Sequence, residues 1–153
     1  MLLLLQSLSL FFWWANMSEN KTIHVHVHVQ AKATYLPEQS SVDGHRFMWA
    51  YDVVITNDSE QIIQVLNRYW KITDMRGKVE EVRGPGIVGL QPIIKPGKTF
   101  SYSSFAQLST PQGTMEGHYE IQNLEDEAFQ IEIPKFVLIC PSSSSSAFRS
   151  QLH

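Results

Sequence analysis

Three histidines alternate with valines in the run Ile23-His24-Val25-His26-Val27-His28-Val29. On an extended strand, successive side chains point to opposite faces, so His24, His26 and His28 share one face and the valines the other. Imidazoles at i and i+2 form a ligand pattern for zinc, cobalt or copper. A working site needs further ligands from elsewhere, and His45 and His118 are the nominal candidates. The competing role is the polar outer face of a half-buried strand. A divalent metal is therefore the one cofactor these residues leave open.

A second pattern lies in RGPGIVGLQP, residues 83–92, which holds G-x-G-x-x-G at Gly84, Gly86 and Gly89. In a dinucleotide fingerprint such glycines join a strand to a helix whose N-terminus holds the pyrophosphate. Here LQPIIKPGK follows, and Pro92 and Pro96 forbid a helix interior. The Walker pattern also fails: Gly97-Lys98-Thr99 has Pro92, not glycine, five residues ahead of Gly97. Two roles remain. Exposed backbone N–H groups bind an anion beside Arg83, with Lys95 and Lys98 close in sequence. Alternatively, the glycines supply positive φ in a packed loop between strands. The first role makes Arg83, Gly84, Gly86 and Gly89 a candidate ligand site for a phosphate-containing small molecule.

Weaker candidates surround these two. Arg68, Tyr69 and Trp70 are residue types favoured at recognition surfaces, and they equally suit strand packing with Arg68 covering the core rim. Glu116 and Glu120 share a strand face, either as a metal-bridging pair or as solvated carboxylates. Thr110-Pro111-Gln112-Gly113-Thr114 reads as a hairpin loop. Cys140 ends the apolar run FVLIC; without a base or an electropositive niche it reads as a buried or strand-end thiol, not a nucleophile.

These residues sit on a chain of strands. From Thr22 onward the periodicity is two. IHVHVHV, RFMWAYDVVITN, IIQVLNRYWKIT, KVEEVRG, TFSYSSFAQL, TMEGHYEIQN and AFQIEIPKFVLI are strand-like, and turn residues separate them. No window is a convincing amphipathic helix. The pattern predicts an all-β fold: an antiparallel β-sandwich or barrel of about seven or more strands. Alternation selects a core of Val25, Val27, Val29, Phe47, Trp49, Tyr51, Val53, Ile55, Val65, Tyr69, Ile72, Phe100, Tyr102, Tyr119, Ile121, Phe129, Ile131, Ile133, Phe136 and Leu138.

The 153 residues suit one domain with a real core. With 43% apolar and 18% charged residues, the chain is globular in composition. A net charge of -3 gives no general attraction to nucleic acid. The single cysteine means that the fold depends on no internal disulfide, in keeping with a reducing, cytoplasmic setting. Residues 1–21 form an apolar leader that lacks the positive start of a signal peptide; Met17 offers an alternative start, making the leader an over-called start, a signal-like segment or a membrane anchor. Residues 142–153 form a Ser-rich tail of low complexity, expected to be flexible.

LNRYWKITD, VRGPGIVGLQPIIKPGKTFSYSS, LSTPQGTMEGHYE and FQIEIPKFVL together resemble the ApaG family over residues 22–141. The family pattern includes a G-x-G-V-V-G-x-Q-P loop, a P-G-x-x-F-x-Y-x-S strand and a T-P-x-G-x-M-x-G-x-Y hairpin. The resemblance implies an immunoglobulin- or fibronectin-III-like β-sandwich. It also implies an association with cobalt resistance and magnesium efflux, under the family names ApaG and CorD, and an interaction-module role like that of related domains in F-box proteins. The family's glycine loop has been suggested to bind pyrophosphate, which falls here on Gly84, Gly86 and Gly89. The histidine strand gains nothing, since family members usually carry other polar residues there.

No group of residues suggests a catalytic constellation. The expectation is a non-enzymatic binding or interaction domain, taking part in divalent-cation homeostasis, with an unidentified protein partner. The alternative is a binder of a small anion, pyrophosphate or a nucleotide, at residues 83–89. An exposed sheet edge leaves homodimerisation open.

Overall fold

The computed structural model describes residues 26–141. The leader, His24, Val25 and the Ser-rich tail lie outside the described residues. Among the described residues, eight strands pair antiparallel throughout and form two sheets. The smaller sheet runs β1 (Val27–Tyr35), β2 (Phe47–Asn57), β6 (Thr99–Leu108). The larger runs β4 (Val79–Pro85), β3 (Ile63–Asp74), β7 (Gln112–Asn123), β8 (Ala128–Ile139), with the short β5 (Ile93–Ile94) beside β3. A 3-10 turn, Pro37–Gln39, lies between β1 and β2. No described helix is long and apolar enough to cross a membrane.

The sandwich forms because alternate residues of each strand are apolar. In β2, Phe47, Trp49, Tyr51, Val53 and Ile55 are all buried while their neighbours are not. From the larger sheet, Ile63, Val65, Trp70, Met115, Tyr119, Ile121, Ile133 and Leu138 meet them. Each such side chain contributes about 1.5–3 kcal/mol by leaving water. Trp49 ties the layers directly: its indole N–H donates to the Ile139 carbonyl at 3.1 Å. Cys140 is buried against this core, as its apolar context implied.

β3 departs from simple alternation. Between Val65 and Asn67 the pairing with β7 slips by one residue, so Leu66 is the extra residue of a β-bulge. Before the bulge the odd-numbered residues face the core; after it, Trp70 does. Tyr69, an expected core residue, lies on the outer face beside His118, their ring centroids 4.9 Å apart. A period-two reading has no means of seeing the slip. Val27, Ile72, Phe100, Tyr102, Phe129, Ile131 and Phe136 are only partly buried and form the rim of the core.

On one side of the sandwich β1 packs beside β8, with a shallow hollow of about 480 Å³ between them, lined by His28 and Gln30 of β1 and by Gln130 and Glu132 of β8. The other lies between β4 and β6, the two sheet edges left there, and it is open.

Candidate functional site

The opening between β4 and β6 holds a cleft of about 310 Å³. Tyr51, Tyr102 and Ser104 line it from the smaller sheet, and Arg68, Trp70 and Val82 from the larger. Ile87 and Val88 of the glycine loop form one end. A further hollow of about 200 Å³ continues along the same opening and shares Ile72 with the first.

The bulge builds this site. By shifting the phase of β3 it turns Arg68 inward, where one guanidinium nitrogen donates to the carbonyls of Pro85 and Gly86 at 3.1 and 3.0 Å. It also leaves the Leu66 carbonyl to accept from the Gly86 N–H at 2.7 Å and from the Gln91 side chain at 3.1 Å. The loop is thus clamped from both sides of the bulge. No carboxylate among the described residues pairs with Arg68. Trp70 is 2% exposed, and its indole N–H has no hydrogen-bond partner among the described residues. Such an orphaned buried donor is uncommon and costs on the order of 1–3 kcal/mol. Tyr102 and Tyr119 share a hydrogen bond between their hydroxyls, and burial pushes both well above the usual tyrosine range. At neutral pH they are therefore uncharged and leave the Arg68 charge unneutralised. The mouth is apolar: Phe105 is 62% and Val88 68% exposed.

The loop itself is a tight hairpin. Ile87 and Leu90 exchange hydrogen bonds at 2.6 and 2.9 Å, around Val88 and Gly89 with φ of 48° and 77°. Positive φ at both central residues is the primed turn that fits strand twist. Gly86 has φ 58°, and a Cβ there would lie 2.0 Å from the Leu90 carbonyl oxygen. Gly84 lies flat against the Arg68 guanidinium, 3.2 Å from an added Cβ. The amides of Gly86, Ile87 and Leu90 donate to the chain's own carbonyls. An anion at the loop would depend on arginine side chains more than on these amides. Arg83 is not among the cleft-lining residues; it lies 4.2 Å over the Tyr69 ring, with Glu81 at 3.9 Å.

The structure separates several residues that the sequence placed together. Arg68 and Trp70 line the cleft and Tyr69 does not. Glu116 meets Lys71 and Lys135 at 3.6 and 3.3 Å, and Glu120 accepts from Asn67 at 2.6 Å. His28 is exposed and pairs with Asp58 at 3.2 Å. His45 sits in the turn between Ser41 and Arg46, and His118 on the outer face. No group of three metal-ligating side chains occurs among the described residues, of which His24 is not one. Thr110 is buried, takes the Met75 N–H at 3.2 Å and donates to Gln112, so its loop is stapled to the β3–β4 turn. Sequence reasoning singled out Trp70 but had no means of seeing its unpartnered N–H, and it missed Ser104 and Phe105; the one available signal was Phe105 standing out of phase in TFSYSSFAQL.

The ApaG domain model matches residues 37–123. Protein ApaG of Agrobacterium fabrum is 48% identical over 115 residues, covering 75% of this chain and 88% of that protein. Protein ApaG of Mesorhizobium japonicum is 46% identical over 117 residues, covering 76% and 90%. The crystal structure of a protein from Bordetella pertussis described as ApaA superposes with a TM-score of 0.75 at 41% identity, covering 76% of this chain and 95% of that one. The chain belongs to the ApaG family.

Proposed function

We propose that the chain is a non-enzymatic binding module that recognises a protein partner at the opening between β4 and β6. The observation that carries this reading is the juxtaposition of two sheet edges with an apolar mouth, Phe105 and Val88, around a cleft whose Arg68 has no carboxylate partner among the described residues. A rigid sandwich presenting such a rim suits recognition. Among the described residues of the cleft no nucleophile is paired with a base, and uncharged tyrosines offer no general base at neutral pH. The role in cobalt resistance and magnesium efflux, implied by the family resemblance, is then exercised through that partner, in the cytoplasm.

The test compares the immobilised full chain with a Phe105→Asp/Val88→Asp variant. Both residues are exposed, so the variant keeps the fold. A partner held by the first and lost by the second supports the reading; identical capture by both contradicts the location.

A second reading, a small phosphate-containing anion at the glycine loop, is favoured by the uncompensated Arg68 charge beside Gly84 and Gly86. Pyrophosphate at 100 times its Kd should then stabilise the fold by about 2.7 kcal/mol. An unmoved unfolding midpoint at millimolar pyrophosphate removes this reading.

A further inference from the structure

β6 is the longer of the two free edges. It runs ten residues, TFSYSSFAQL, and pairs on one side only, with β2, in unbroken register from Thr99 to Leu108. Natural edge strands are usually guarded by charge, proline or a bulge. β6 contains no charged residue, no proline and no bulge. β4, across the opening, is guarded: it carries Glu80, Glu81 and Arg83 and ends in Gly84-Pro85. An unguarded edge beside a cleft is the geometry of strand addition, in which backbone hydrogen bonds give affinity and alternate side chains enter pockets.

From these observations we infer that β6 receives an extended peptide segment of a partner protein as an added strand, with one acidic side chain directed into the cleft toward Arg68. The inference rests on the binding-module reading and names its partner's chemistry. A strand beside β6 sends alternate side chains between the sheets. There they meet Arg68, which has no carboxylate partner among the described residues, and the indole N–H of Trp70, which has no acceptor. A carboxylate supplies what both donors lack. The flanking inward side chains of the peptide are apolar, because Ile72, Val82, Ile87, Val88 and Met115 are among the lining residues. A second β6 does not fit this requirement. Its inward residues, Phe100, Tyr102, Ser104, Ala106 and Leu108, include no acid.

The experiment titrates the full-length chain with a seven-residue peptide that alternates threonine with valine and has glutamate in place of the central valine. A matched peptide carries glutamine there. Affinity is read by calorimetry and position by site-resolved amide hydrogen exchange. The glutamate peptide should slow exchange along β6, and the glutamine peptide should bind roughly tenfold more weakly or worse, the usual effect of removing a charge-assisted hydrogen bond. Phe105→Lys, at an exposed position, should weaken the glutamate peptide by a similar factor while leaving exchange in β3 and β7 unchanged. Equal affinity of the two peptides overturns the carboxylate. Protection on β4 or the outer face of the large sheet overturns the location. A full-length chain that is already dimeric, with β6 protected in the absence of peptide, overturns the peptide in favour of a second copy. A displayed random-peptide library separates the two levels. Selected binders that protect another surface sink this inference and leave the binding module standing, whereas no binder from either source removes both.

Discussion

Asn57 shows how a single polar side chain can hold several loops. It is fully buried; its amide donates to the Gln61 and Ile94 carbonyls at 2.7 and 2.9 Å, and its oxygen accepts from Ser59 N–H and Oγ. Asn57→Ala strands several buried partners at once and should destabilise the fold by on the order of 3 kcal/mol, measured by denaturant unfolding. Gly86 is a different case. Positive φ and the Leu90 oxygen leave no room for a Cβ, so Gly86→Ala should cost more than the roughly 1 kcal/mol expected of Gly89→Ala, where only the φ resists. Comparing the two midpoints checks this; equal losses would mean the clamp around Gly86 is soft. Tyr102 and Tyr119 govern the alkaline limit. Burial raises both above their unfolded range, so the folded state holds more protons once pH exceeds about 10. Stability should be intact below that pH and fall as pH rises through it. In Tyr102→Phe/Tyr119→Phe the alkaline decline should flatten, a comparison that a pH series of unfolding curves makes directly.

At the scale of elements, the bulge at Leu66 decides most of what is distinctive. It turns Trp70 and Arg68 inward and frees the carbonyl that anchors the glycine loop. Deleting Leu66 joins Val65 to Asn67 in unbroken register with β7, keeps Arg68 and Trp70 inward, and removes the carbonyl that holds the Gly86 N–H and the Gln91 side chain. The deletion variant should keep a cooperative thermal transition at a lower midpoint; an unchanged midpoint would show that the glycine loop is held by other contacts. The strands themselves were legible in the sequence because their alternation is strong, as in FMWAYDVVITN. The bulge was not, because LNRYW is polar or aromatic on both faces and either phase satisfies it. For the same reason the sequence grouped Arg68, Tyr69 and Trp70, which the fold divides between two faces. β5 and the 3-10 turn at Pro37–Gln39 escaped notice because two or three residues carry no period.

At the scale of the molecule, β1 packs against β8, whereas β4 and β6 leave between the sheets a cleft that holds Arg68 and Trp70. The glycine motif lies beside this cleft for a different physical reason. Its glycines are explained by a tight hairpin and by close packing against Arg68, and the cleft they help to wall is built from residues distant in sequence. Tyr51, Trp70 and Ser104 come together only when two sheets stack, which no local pattern encodes. The central claim is that the chain works by binding at this opening. Site-resolved amide exchange of the full-length chain, alone and with its captured partner, tests it most directly. The account predicts slowed exchange in β6 and the Gly84–Gly89 loop, with the outer face of β7 and β8 unchanged. Slowing confined to that outer face, or no change anywhere, would contradict it.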